Sequence, residues 1–203
     1  MAHAFDVVRQ FESELAKRAG SKYAVAVNSC TNAIFLSLMY HKVKGKEITL
    51  PKRTYPSVPC SVINAGAKVS FEDLNWEGIY YLKPYPIVDA AKRFTKGMYI
   101  TDTFMCISFH IKKILDIGTG GAILTDDFEA VKWLKQARFD GRHEVPLSED
   151  NFDMIGWNMY MEPEQAARGL WRMGSIPEVN EDQIEEPPYP DLSQFKVYTE
   201  ANR

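Results

Sequence analysis

Residues 104–121, FMCISFHIKKILDIGTGG, decide the fold: an apolar run from Phe104 to Phe109 leads into SFHIKK, Ser108 to Lys113, and the chain then reaches the glycine-rich GTGG, Gly118 to Gly121. A run that is apolar at nearly every position, not at alternate ones, suits a strand covered on both faces by helices. A lysine at the mouth of such a strand, beside a turn with little side-chain bulk, is where an amine can be desolvated and made nucleophilic. Taken alone, the adjacent Lys112 and Lys113 read more simply as two solvated charges closing a strand.

Two other stretches change that reading. In YPIVDAA, Tyr85 to Ala91, Asp89 ends a short apolar run where a parallel strand meets its turn. A carboxylate there is costly unless something positive faces it, and a protonated pyridine nitrogen is such a partner. In VNSCTNAIFLSL, Val27 to Leu38, the strand YAVAVN gives way to small polar residues and then to a helical pattern. Ser29, Cys30 and Thr31 thereby fall at a helix N-terminus, where free amides and the dipole can hold a phosphate. An ordinary Ser or Thr cap is the commoner use of that position. A nucleophilic lysine, an aspartate for a ring nitrogen and an anion cradle are together what pyridoxal 5'-phosphate needs from a protein.

In that order of motifs the chain resembles the DegT/DnrJ/EryC1/StrS family, the sugar aminotransferases of fold type I that depend on pyridoxal phosphate (PLP). The resemblance runs from about Phe11 to Leu170. FESELAKRAGSKYAVAVNSCTNAIFLSL is similar to the family's start, with SCTNA in place of SGTxA. ITLPKRTYPSVPCSVINAGAKVSFED resembles its next unit, which implies that Tyr55, after Thr54, stacks on the cofactor ring. VDAA matches the aspartate motif and gives Asp89. SFHIKK fits SFxxxK, which selects Lys113 as the Schiff-base lysine and Ser108 as a further phosphate ligand. IGWNMYMEPEQAARGL resembles the GxNxRM segment, which implies that Asn158 reaches the phosphate of a neighbouring subunit.

There are departures from the family pattern. Cys30 replaces a glycine in the phosphate segment. Lys92 stands where glutamine or histidine is usual near the cofactor's phenolic oxygen, and a cation there favours the phenolate. Tyr160 stands where arginine is common. Between Phe71 and Val88 the chain is short by at least a helix and a strand, and no small C-terminal domain is expected after Leu170. The resemblance thus implies a pared-down large domain, an α/β three-layer αβα architecture with a mostly parallel sheet.

Composition agrees with this class. A chain of 203 residues with 45% hydrophobic content can bury a core as one domain. A formal charge of -3 leaves no nucleic-acid footprint. Cys30, Cys60 and Cys106 have neither disulfide-like nor metal-type spacing, which argues for reduced thiols in a cytoplasm and against a metal site. No apolar run is long enough to span a bilayer, and MAHAFDVVRQ is not a signal peptide.

The pattern predicts helices over 5–18, 31–43, 56–65 and 128–139. It predicts strands at 23–28, 47–51, 67–72, around Ile87, over 104–109 and in GGAILTDD. Residues 1–173 are expected to form the PLP-binding domain. The Pro- and acid-rich 174–203 reads as an arm whose Tyr189, Phe195 and Tyr198 pack at least partly on a neighbour. Beside the lysine, His110 can relay a proton or simply orient the turn, and His143 reads as a loop residue. Trp76, Tyr80 and Tyr81 invite a sugar pocket, though packing over a shortened sheet edge is the plainer reading.

The resemblance implies an aminotransferase working as a homodimer with shared sites, taking nitrogen from an amino acid such as glutamate and giving it to a nucleotide-linked keto sugar. Two rivals stand beside it. A sugar dehydratase of the family carries histidine in place of the lysine, which Lys113 opposes. A degenerate PLP-binding or regulatory protein without transaminase activity fits the missing domain, Lys92 and Tyr160.

Overall fold

The computed structural model describes residues 5–200. The first four and last three residues lie outside it, and with them the start of the N-terminal stretch and the outer ends of the expected domain and arm. In chain order the elements are α1 (Asp6–Ala19), β1 (Tyr23–Val27), α2 (Cys30–Tyr40), β2 (Glu47–Pro51), α3 (Ser57–Asn64), β3 (Lys68–Glu72), β4 (Tyr80–Leu82) and β5 (Ile87–Asp89). They continue with β6 (Phe104–Ser108), β7 (Gly121–Thr125), α4 (Phe128–Ala137), α5 (Pro163–Ser175) and the single-turn α6 (Lys196–Thr199).

Local chemistry explains most boundaries. Helix α1 carries Asp6 in its first turn and Lys17 and Arg18 in its last, complementing the dipole. It ends at Gly20, whose φ of 86° suits a residue without a Cβ and lets its amide bond Ala16 O at 2.8 Å. Ser29 caps α2 by accepting from the Asn32 amide, and Asp127 caps α4 through the Ala130 amide. Helix α5 starts on Pro163, inside a reciprocal capping box of Glu162 and Gln165.

Strands β1, β7, β6, β5 and β4 lie side by side in that order, and β2 pairs with β3. One antiparallel bridge, Thr49 to Lys83, joins the pair to the outer edge of β4 through two hydrogen bonds of 2.9 and 3.0 Å. Because β1 and β6 each run antiparallel to β7, they run the same way as one another. β5 is parallel to β6, and β2 and β3 share that direction through β4. Only β4 and β7 are reversed, so the sheet is mostly parallel.

Successive side chains feed opposite faces. Val25, Val27, Cys106 and Ile123 pack with α2, α3 and α4 on one side, and Ala24, Ala26, Met105, Ile107 and Leu124 pack with α1 and α5 on the other. The expected αβα layering is therefore present. Among the described residues no helix is long and apolar enough to cross a membrane.

Two features differ from the sequence expectations. The reversed strand β4 was not anticipated; the shortened connection turns directly from Leu82 to Ile87, and a link that short can only join antiparallel neighbours. Helix α5 was not assigned either, although its Pro start and capping box are visible in EPEQ. The aromatic residues of the arm meet their own chain: Tyr189 lies near Tyr55 and Trp76, and Tyr198 lies near Phe71. The arm is anchored by Arg93 on Asp182, by Asn180 on the Phe94 carbonyl, and by buried Leu192, whose amide bonds Lys52 O at 2.8 Å.

Beneath β1 lies a buried charge network. Arg138, 1% exposed, donates to Glu12 and to the Ala26 carbonyl, while Glu12 accepts from the Ala26 amide at 2.9 Å. It ties α1, β1 and the end of α4 together. Arg138→Met should cost about 3 kcal/mol in a urea titration, since it leaves the buried Glu12 carboxylate only the Ala26 amide and partly exposed Lys135 at 3.3 Å, and Glu12→Leu/Arg138→Met should recover most of that loss. A double variant as weak as the single one would show that the pair itself, not its imbalance, stabilises the fold.

Candidate active site

Asp89 ends β5, one strand from Ser108 at the end of β6, so both lie at carboxyl ends of parallel strands, where open α/β sheets bind ligands. Its carboxylate is 5% exposed. Oδ2 accepts from the Tyr80 hydroxyl at 2.7 Å and Oδ1 accepts from the Ala91 amide at 2.9 Å. Tyr80 stands directly opposite Asp89 in the β4–β5 pair, and its oxygen lies 2.5 Å from Oγ1 of buried Thr54. Burial pushes Asp89 above the usual carboxylate range, while Tyr80, Ala91 and the charges of Lys113 and Lys92 pull it back. Each carboxylate oxygen has two acceptor positions, so capacity remains for one more donor.

The phosphate cradle forms where predicted. The amides of Cys30 and Thr31 precede the first intrahelical bond of α2, which runs from the Ala33 amide to Ser29 O. Gly121 makes this possible: a Cβ there would lie 2.5 Å from the Cys30 nitrogen, so only glycine lets α2 begin against β7. Ser29 is both a cap and a wall of the cavity, so the two readings of it coexist. Thr31 donates to Ser57 Oγ at 2.9 Å. The Cys30 thiol is pushed well above its ordinary range by burial, with Asp89 adding to it, and therefore stays neutral.

Between these elements lies a cavity of about 440 Å³. Ser29, Cys30, Thr31 and Tyr55 line it on one side, Asp89, Ser108 and Lys113 on the other. Lys113 sits in the turn after β6, its amide bonded to His110 O at 2.8 Å. Burial pulls its amine below the ordinary lysine range; Lys92 adds to that shift, and Asp89, Cys30 and Glu185 oppose it. Lys112 is exposed, and its carbonyl accepts from Gln183 Nε2. The His110 ring accepts from the Lys112 amide at 3.3 Å, which orients the turn. His143 lies in a loop, paired with Asp150 at 2.9 Å.

Asn158 is the one predicted site residue that does not line the cavity. It is bridged to Phe139, and its side chain donates to Asp140 at 3.2 Å. Tyr160 packs edge-on against Phe139 and Phe5 within its own chain. Sequence reasoning missed Tyr80 as the partner of Asp89. The run YYLKPYPIVD held the signal, two short apolar segments flanking a proline turn. It also missed that Gln183 to Glu186 and Tyr189 of the arm close the cavity.

The family model of the DegT/DnrJ/EryC1/StrS aminotransferase family matches residues 2–104 and 98–187. The spore coat polysaccharide biosynthesis protein SpsC of Bacillus subtilis is 37% identical over 92 residues, 45% of this chain and 23% of that protein. A UDP-4-amino-4,6-dideoxy-N-acetyl-beta-L-altrosamine transaminase of Campylobacter jejuni is 22% identical over an alignment of 250 residues, covering 97% of this chain and 66% of the relative. That alignment is longer than the 203-residue chain, so it places gaps in this sequence. AtS13 from Actinomadura melliaura has the same fold, with a TM-score of 0.73 at 18% identity over 85% of this chain and 60% of its own. The chain spans less than two thirds of the length of each of these proteins. With the model matched along most of its length and the motif residues gathered around one cavity, this chain belongs to the DegT/DnrJ/EryC1/StrS aminotransferase family.

Proposed function

We propose that residues 1–173 bind pyridoxal 5'-phosphate in this cavity, that residues 174–203 form an arm across its mouth, and that the chain is an aminotransferase. The amino donor is an amino acid, glutamate in our reading, and the acceptor is a keto sugar, nucleotide-linked by analogy with the Campylobacter relative. The observation that carries this is the convergence of Lys113, Asp89 and the α2 N-terminus on one cavity. The residues fit the cofactor: amides and hydroxyls suit a phosphate, a buried carboxylate with acceptor capacity suits a protonated ring nitrogen, and a desolvated amine suits an aldehyde.

When bound, pyridoxal phosphate supplies an aldehyde that takes up an amine and a ring that accepts electrons from a bond broken beside that nitrogen. The chain's own groups do the rest. Cys30 and Thr31 amides, with Ser29 and Ser108 hydroxyls, hold the phosphate, and Tyr55 covers the ring. Asp89 keeps the ring nitrogen protonated. Lys113 would hold the aldehyde through its amine and, as a free amine, would take up the proton at the donor's α-carbon. Asn158, outside its own cavity, serves the phosphate of a second copy, so the working unit is a homodimer.

Protein mixed with pyridoxal phosphate should turn yellow and lose that colour on adding glutamate, while Lys113→Ala should form no borohydride-reducible adduct. Colour that glutamate never bleaches would favour a binding-only protein, and a colourless wild type would remove the cofactor assignment. Tyr80→Phe should weaken cofactor binding roughly tenfold, the cost of a lost buried hydrogen bond of about 1–1.5 kcal/mol. Its hydroxyl holds Asp89 down, so its removal lets the carboxyl protonate at higher pH. An unchanged dissociation constant would show that Asp89 needs no such help. Because the charge of Lys92 lowers the Lys113 amine, Lys92→Met should move the pH midpoint of adduct formation upward. A midpoint that stays put or falls would mean the two amines do not sense one another.

A further inference from the structure

Lys92 is a buried cation in the cavity wall that this chemistry leaves unused. Its side chain is 7% exposed, and the groups that balance it come from the arm and the shortened connection. Glu185 Oε2 lies at 2.9 Å, the Tyr189 ring centroid at 4.9 Å and that of Trp76 at 5.4 Å. Burial acts to raise the Glu185 carboxyl, yet Lys92 and then the Tyr189 hydroxyl facing it hold it below the ordinary glutamate range. Glu185 therefore sits against one cation and one hydroxyl, on a wall of the cavity that holds Lys113.

The arm is lightly held at this point. The Gln183 amide bonds Lys92 O at 2.9 Å and the Gln183 side chain bonds Lys112 O at 3.0 Å, whereas Ile184 is 76% exposed. Its firmer anchors, Arg93 to Asp182 and buried Leu192, lie on either side. The segment between them can lift without unseating the rest.

We propose that Lys92 and the Tyr189 hydroxyl form a carboxylate-binding subsite for the amino donor, which the chain's own Glu185 occupies in this closed form and yields on donor entry. This rests on the aminotransferase reading above. Exchanging one carboxylate for another keeps the buried Lys92 paired throughout, so entry never exposes an uncompensated charge. A tethered competitor lowers the apparent affinity by the fraction of time it is displaced, which makes Glu185 a setting for donor affinity as well as a plug.

Succinate, which has carboxylates but no amine, is the probe, titrated calorimetrically into protein saturated with pyridoxal phosphate and into protein without it. Glu185→Gln should bind succinate ~tenfold tighter than wild type, and Lys92→Met at least ~tenfold weaker. In wild type, succinate should accelerate amide exchange over residues 182–189. Equal or weaker succinate binding by folded Glu185→Gln, or wild-type affinity in Lys92→Met, overturns the subsite. Unchanged exchange in wild type at saturating succinate overturns it without any variant. A yellow protein with those negative results fails the subsite alone, whereas a colourless protein with the predicted succinate order fails the cofactor reading alone.

Discussion

A carboxylate with 5% exposure at the end of a central strand is the constraint around which the rest of this molecule is arranged. Water would solvate that charge far better than the protein interior does, so each oxygen needs a donor from the fold. One comes from the chain itself, the Ala91 amide two residues on. The other comes from Tyr80, which exists at that position only because β4 runs antiparallel to β5 and sets residue 80 opposite residue 89. The short link from Leu82 to Ile87 thus does more than save length. It reverses a strand and in doing so supplies a hydroxyl to Asp89, with Thr54 behind it.

The shortened connection and the arm are coupled. Trp76, in that connection, lies nearly parallel to Tyr189 of the arm, the two ring centroids 6.4 Å apart, and Lys92 sits over both rings. The arm buries Leu192 and pairs Asp191 with Lys52, so it completes a wall that the domain alone leaves open. Its acidic residues have specific partners: Asp182 on Arg93 and Glu185 on Lys92. Exposed ion pairs contribute little to stability, but Lys92 is buried and cannot be left alone.

Much of the αβα framework was legible because it depends on local signals. Apolar runs at residues 23–27, 87–89 and 104–108 announced covered strands, and a serine before a helical pattern announced the α2 cap. Asp89, Ser108 and Lys113 converge because consecutive strands of one direction end on one side of a sheet, which motif order already implies. What escaped was non-local. The reversal of β4 depends on how far a four-residue turn can reach, and a three-residue strand carries almost no periodicity. The route of the arm depends on pairings such as Asn180 with Phe94 and Leu192 with Lys52, more than eighty residues apart, which no window along the chain contains. Composition read that segment as an extended arm, and the anchors are single residues spaced along otherwise solvated chain.

Three lysines line one cavity, which raises the question of which one reacts; Lys112 is exposed, and the surroundings of the other two separate them. Lys92 is the more buried, and it has a carboxylate at 2.9 Å and two aromatic faces around it. Among the described residues no carboxylate forms an ion pair with Lys113; Asp89, the anion that most opposes the lowering of its amine, is itself pushed upward by burial. The same burial that raises one group lowers the other, and the Lys92 charge deepens the second effect. Lys92 is thus held against an anion, whereas burial pulls the Lys113 amine below its ordinary range. The division follows from their neighbours, since the two side chains are chemically identical.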